Sequence, residues 1–117
     1  MSLQLSMTFK KHIWSTPSEF KDLSGAREIA IDLETRDDGL AEGLGAGWAL
    51  KKGNIIGFAV AVEGWQGYFP FGHFGGGNMI PDQVKAYIKE VCELPCPKIF
   101  HNAQYDVGWL LSEGYTV

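Results

Sequence analysis

Between Asn54 and Phe71 the chain reads NIIGFAVAVEGWQGYFPF. Two strand-like runs, Asn54 to Glu63 and Gln66 to Phe71, are separated by only Gly64 and Trp65. A link this short joins antiparallel neighbours, because a parallel pair needs a crossover of a dozen residues or more. The middle of the chain is thereby committed to a hairpin, and the remaining elements must be arranged around it.

The flanking segments supply further elements. Arg27 to Glu34 is apolar and reads as the first strand. Asp37 to Gly53 reads as a long Gly-rich loop broken by Trp48, and Gly72 to Asn78 as a second Gly-rich loop containing His73. Pro81 to Leu94 is a helix: Val84, Tyr87, Ile88 and Val91 recur at helical spacing, with Lys85, Lys89, Glu90 and Glu93 on other faces. Pro95 ends it. Lys98 to His101 is a short strand. Ala103 to Glu113 is a second helix, capped by Asn102, closed by Gly114, with Val107, Leu110 and Leu111 as its buried stripe. Upstream, Thr16-Pro17-Ser18-Glu19 has the pattern of a helix start, Phe20 and Leu23 give a short stripe, and Gly25 stops it. The expected fold class is α/β, a mixed sheet with flanking helices. Residues 1–26 form a lead-in with a short helix, and residues 27–117 the main unit.

Composition narrows the functional classes. A chain of 117 residues with 45% hydrophobic and 21% charged residues suits one small globular domain. No apolar run approaches the roughly 18 residues of a membrane span, and Met1 to Phe9 lacks a signal-peptide pattern, so a cytoplasmic protein with no membrane partner is expected. The formal charge of −4 argues against a plain DNA-binding module, which is usually basic. It leaves open an enzyme whose carboxylates hold metal ions. Cys92 and Cys96 do not complete a zinc site, and reduced thiols are expected.

Two constellations carry chemistry. The run IAIDLET, Ile29 to Thr35, ends in two acids one residue apart. Residues two apart in a strand share a face, so Asp32 and Glu34 project together while Leu33 points into the core, with Cβ atoms about 6–7 Å apart. Carboxylates so placed repel unless a cation lies between them, and hard oxygen ligands favour Mg²⁺ or Mn²⁺. Ordinary solvent-exposed acids at a strand end have the same pattern. The second constellation is KIFHNAQYDVGWL, Lys98 to Leu110. Asn102 and Asp106 are four apart, on one helical face. If the strand before them lies parallel to the first, Asp106 faces the same cleft as Asp32. A cap and a first-turn acid would fit the same residues.

IAIDLET followed by HNAQYDVGWL, with IIGFAVAVEGWQGYFPFGH between them, resembles the 3′→5′ proofreading exonuclease domain of family A DNA polymerases, the DNA polymerase I type, phage members above all. The resemblance runs from Glu28 to Gly114. It implies a ribonuclease-H-like fold of the DnaQ exonuclease type, here incomplete at the C-terminus. It implies that Asp32, Glu34 and Asp106 are catalytic and bind two divalent ions, Mg²⁺ or Mn²⁺. Thr35, Asn102 and Tyr105 match substrate-binding positions. Leu40 matches an apolar wedge between terminal bases at an imperfect offset, and loop packing suits it better. The implied substrate is a single-stranded DNA 3′ end, and the implied partner is the rest of a polymerase chain.

The family's third motif places Tyr or His four residues before an aspartate. The residues four before Asp22, Asp32, Asp37, Asp38, Asp82 and Asp106 are Ser18, Glu28, Leu33, Glu34, Asn78 and Asn102. The chain is therefore expected to be the N-terminal piece of a larger protein, weakly active or inactive alone. It is also expected to bare one sheet face through which it self-associates. His73 is read chiefly as structural, and His101 as turned away from the metals. Arg36, Lys51 and Lys52 are read as exposed charges with an option on phosphates. Trp48 and Trp65 are assigned equally to packing or base stacking. Two rivals remain: an RNA-trimming exonuclease of the same superfamily, and a non-catalytic nucleic-acid-binding module of the same fold.

Overall fold

The computed structural model describes residues 19–117. Four strands form one mixed sheet in the order β3-β2-β1-β4. They are β1 (Ile29–Arg36), β2 (Asn54–Val62), β3 (Trp65–Pro70) and β4 (Lys98–Phe100). β1, β2 and β3 pair antiparallel, and β4 lies parallel to β1. Val62 pairs with Trp65, so the hairpin turn is Glu63-Gly64, one residue earlier than the sequence reading placed it. Gly64 takes φ +81°, which a glycine adopts without strain.

Among the described residues, four helices flank the sheet: α1 (Asp38–Ala41), α2 (Gly47–Leu50), α3 (Pro81–Glu93) and α4 (Ala103–Ser112). α1 and α2 lie where a long Gly-rich loop was expected. Asp37 explains the first, since its Oδ1 accepts from Leu40 N at 2.8 Å and so caps a single turn. α3 begins at Pro81, whose missing N–H is harmless in a first turn, and Leu94 turns extended before Pro95.

The core is continuous. Ile29, Ile31 and Leu33 of β1, Phe58 and Val60 of β2 and Phe69 of β3 meet Val84, Ile88 and Val91 of α3 and Trp109 and Leu110 of α4. Phe20 stacks on Phe69 at 5.2 Å between ring centroids and packs on Tyr87. The short helix expected before Gly25 is not formed over Phe20–Gly25. Asp22 Oδ1 instead accepts from Ser24 N at 2.9 Å, a local turn that competes with helix. Thr16, Pro17 and Ser18 lie outside the described residues.

Three further expectations need correction. Leu111 of α4 is 58% exposed, and the buried positions are Asp106, Gly108, Trp109 and Leu110. The stripe is displaced because Gly108 seats the Trp48 indole, where an added Cβ would lie 2.4 Å from the ring. Asn102 stands at the N-cap of α4 but makes no side-chain capping bond. The second sheet face is not bare at its centre: Ala30, Ala59 and Ala61 are buried, and Ile99 packs against Ala30 and Ala61. Cys92 and Cys96 are both free thiols, and burial pushes the Cys92 thiol up to about 11.

Candidate active site

The two faces of β1 have different chemistry. Ile29, Ile31 and Leu33 enter the core, while Asp32 and Glu34 stand half-buried on the other face, as period-two alternation requires. Across the sheet, Asp32 pairs with Ala59 and Ala59 with Tyr68. Glu34 pairs with Gly57 and Gly57 with Pro70. The β2 partners of both acids are small, and the Tyr68 hydroxyl fills the space over Gly57. Immediately past Glu34 the register shifts: Thr35 pairs with Ile55, and Ile56 is the extra residue of a bulge. Such a bulge bends the strand and re-aims the side chains after it.

Asp106 comes from the opposite wall. β4 is parallel to β1, so α4 starts at the sheet end where β1 carries its acids. Asp106 is 3% exposed, and its Oδ2 has no hydrogen-bond partner. Its carboxyl is pushed up to about 6, first by burial and then by the charge of Asp32. The Asn102 backbone N–H and His101 act weakly in the other sense. Asp32 and Asp106 are thus close enough to repel each other.

A buried carboxylate with an unsatisfied oxygen beside a second carboxylate is a hard-oxygen arrangement that suits a divalent cation. Asp32 and Asp106 fit such an ion, with Glu34 beside them on β1. Among the described residues, no three His, Cys, Asp or Glu side chains are grouped closely enough to hold a metal ion as they stand. The three acids share one end of the sheet without forming a closed cage.

Thr35 and Tyr105 are brought together. Their hydroxyls lie 3.0 Å apart, and Tyr105 Oη donates to Asp37 Oδ2 at 2.6 Å. Burial raises the Asp37 carboxyl, but bonds from Tyr105 and from the Leu40, Gly47 and Gly39 N–H groups outweigh it and hold the carboxyl below its usual value. Asp37 therefore ties α1 and the start of α2 to α4, a role the sequence reading missed. Its signal was present, since an aspartate directly after a strand and before Asp-Gly is a helix cap in the making. Leu40 is 58% exposed on α1, so it does not pack into the loop as expected. Asn102 is exposed beside His101 at the start of α4.

The remaining candidates divide between packing and local pairing. Trp48 is packed on Gly108, and Trp65 lies 6.5 Å from Phe69 between ring centroids. Lys52 pairs with Glu42 at 2.8 Å, Arg36 with Asp38 at 3.6 Å, and Lys51 Nζ donates to Ser112 Oγ at 3.3 Å. His73 is hydrogen-bonded to Tyr68, a residue the sequence reading did not single out.

No family model matches the chain. Over 106 residues it is 36% identical to a DNA-directed DNA polymerase of Pseudomonas phage M6, an alignment covering 86% of the chain and 16% of that polymerase. The chain is thus similar to one region of a polymerase and spans a small part of its length. No helix among the described residues is long and apolar enough to cross a membrane.

Proposed function

We propose that the chain belongs to a 3′→5′ exonuclease unit of a DNA polymerase and hydrolyses the 3′-terminal phosphodiester of single-stranded DNA. One observation carries the reading: Asp106 is buried with an unpartnered oxygen and feels the charge of Asp32, on the face that also carries Glu34. Like charges buried together are unfavourable unless a cation joins them. Asp32, Glu34 and Asp106 are the residues that would hold two Mg²⁺ or Mn²⁺ ions. Ions of this kind, when bound, lower the pKa of water and offset negative charge on the reacting phosphate.

The protein's other groups orient the substrate. Thr35, which follows Glu34 in β1, and Tyr105 present a hydroxyl pair held in place through Asp37. Leu40 offers an exposed apolar surface on α1 to a terminal base, and Asn102 an exposed amide at the start of α4. Water adds to the terminal phosphorus, the bond to the 3′ oxygen of the preceding nucleotide breaks, and a nucleoside 5′-monophosphate leaves. Similarity to a region of a phage DNA polymerase supports this assignment.

The test is incubation with 5′-labelled single-stranded DNA and Mn²⁺ or Mg²⁺, with Mn²⁺ binding measured on the same samples. The expected result is a ladder shortening from the 3′ end that Asp32→Ala abolishes. A chain that neither trims DNA nor binds Mn²⁺ overturns the reading and leaves a non-catalytic nucleic-acid-binding module. Equal trimming of a matched RNA oligomer reassigns the substrate to RNA.

A further inference from the structure

We propose that Phe74 is a stacking platform for an internal base of the single-stranded DNA, upstream of the 3′-terminal nucleotide. The proposal rests on the reading of the acid-bearing sheet face as a nuclease site.

The position of the loop is the first observation. β1 and β3 both pair antiparallel with β2, so they run in the same direction, and Pro70 lies level with Gly57 and Glu34. β3 therefore ends where the sheet carries its acids, two strand spacings or about 9–10 Å from β1. Phe71 N and Gly72 N donate to Ile56 O at 2.9 and 3.0 Å, which seats the start of the loop on the bulge residue. Tyr68 shares the cross-strand row of Ala59 and Asp32, so its side chain rises from the acid-bearing face. His73 Nε2 is hydrogen-bonded to Tyr68 Oη, which draws the loop to that same face. Phe74 follows directly.

The second observation is the ring itself. Phe74 is 91% exposed, against 43–60% for the other exposed large apolar side chains among the described residues. Half-covered apolar residues on a surface are ordinary, but packing does not account for an aromatic ring this bare. Its base is held: His73 N donates to Asn78 Oδ1 at 2.9 Å, and Asn78 Nδ2 donates to His73 O at 2.8 Å. This clasp closes the loop behind the phenyl group. Gly75, Gly76 and Gly77 follow at positive φ, and a Cβ on any of them would meet nothing within 4 Å. Space beside the ring is therefore open. Residues 72–80 carry no acid, in a chain of net charge −4, so a phosphate backbone can approach the loop without repulsion from its own side chains. Every base has a π face, so a bare ring takes any of them. Thr35, Tyr105, Leu40 and Asn102, assigned to the terminal nucleotide, belong to β1, α1 and α4 or their ends, whereas Phe74 stands beyond β3. A strand with its 3′ end at the acids reaches Phe74 with a base further back.

The experiment measures, by fluorescence anisotropy in Mn²⁺, binding of the chain to 5′-labelled single-stranded DNA whose 3′ end carries phosphorothioate linkages that resist trimming. A melting curve accompanies each variant. Phe74→Ala should raise Kd roughly 5- to 100-fold, the range for loss of one base–aromatic stack, at unchanged Tm. Phe74→Trp should keep wild-type affinity. Phe74→Leu, which keeps apolar bulk but has no π face, should bind as weakly as Phe74→Ala. A single abasic nucleotide moved along the oligomer should find one internal position at which wild type and Phe74→Ala bind alike. Unchanged affinity in Phe74→Ala overturns the platform alone, and wild-type affinity in Phe74→Leu overturns stacking as its basis. An affinity loss in Phe74→Ala that no abasic position cancels also overturns the platform and assigns the ring to a protein contact. No DNA binding by the wild type overturns the nuclease reading and the platform with it.

Discussion

Asp106 is a carboxyl held where its ionised form is unfavourable. Its pKa of about 6 stands above the ordinary 3.8, through burial and then Asp32. Between these values the folded chain binds more protons than the unfolded one. Stability therefore falls as pH rises through that window and stays reduced above it. A gap of about two pKa units corresponds to about 3 kcal/mol at neutral pH. Asp106→Asn removes the charge while keeping the shape. In metal-free buffer it should stabilise the chain at pH 7 and change little at pH 4, read from urea midpoints at both values. Burial raises Glu113 too, so the difference between wild type and variant, not the raw profile, isolates Asp106. Tyr105→Phe is expected to cost about 1 kcal/mol by loosening Asp37 and Thr35, seen as a lower urea midpoint. Asp32 and Glu34 were legible because strand period two is rigid. Asp106 was legible as a position but not as a buried one: helical spacing puts it with Asn102, whereas burial depends on where α4 meets the sheet.

The same limit applies to whole elements. The hairpin, α3 and the existence of β4 follow from local patterns, because apolar periodicity and Pro or Gly punctuation are written in consecutive residues, whereas the parallel pairing of β4 with β1 was left open. The segment from Asp37 to Gly53 was opaque because its two helical turns lean on distant partners. Trp48 sits against Gly108, and Ser112 Oγ donates to Trp48 O at 3.3 Å. The bulge at Ile56 is likewise a property of the strand pair rather than of either strand. α2 and α4 meet most closely where Trp48 lies on Gly108, so Gly108→Ala is a sharp test of their docking. A methyl group 2.4 Å from the indole cannot be accommodated in place, and the ring is not a flexible chain end. The expected cost is about 1–3 kcal/mol, with a changed Trp48 fluorescence that Trp48→Phe in the same background removes.

At the scale of the molecule, one core joins the sheet to α3 and α4, so the described chain should unfold cooperatively. The acid cluster bridges two parts of that core, β1 through Asp32 and Glu34, and α4 through Asp106. A cation bound as proposed across this junction would need both in place, and its binding energy would add to the stability of the whole. At a free Mn²⁺ concentration a hundred times the dissociation constant, the gain is about 2.7 kcal/mol. For a domain of this size, that corresponds to a rise in Tm on the order of 10 °C. The rise should appear with Mn²⁺ or Mg²⁺ in the wild type, reverse with a chelator, and vanish in Asp32→Ala. Asp106→Asn separates the two origins of stability. It should start from a higher metal-free Tm, because the repulsion is gone, and gain little on adding the ion, because a ligand is gone. A wild-type Tm that ignores both ions, with Asp106→Asn no more stable than wild type at pH 7, would show that the acids neither strain the fold nor hold a cation.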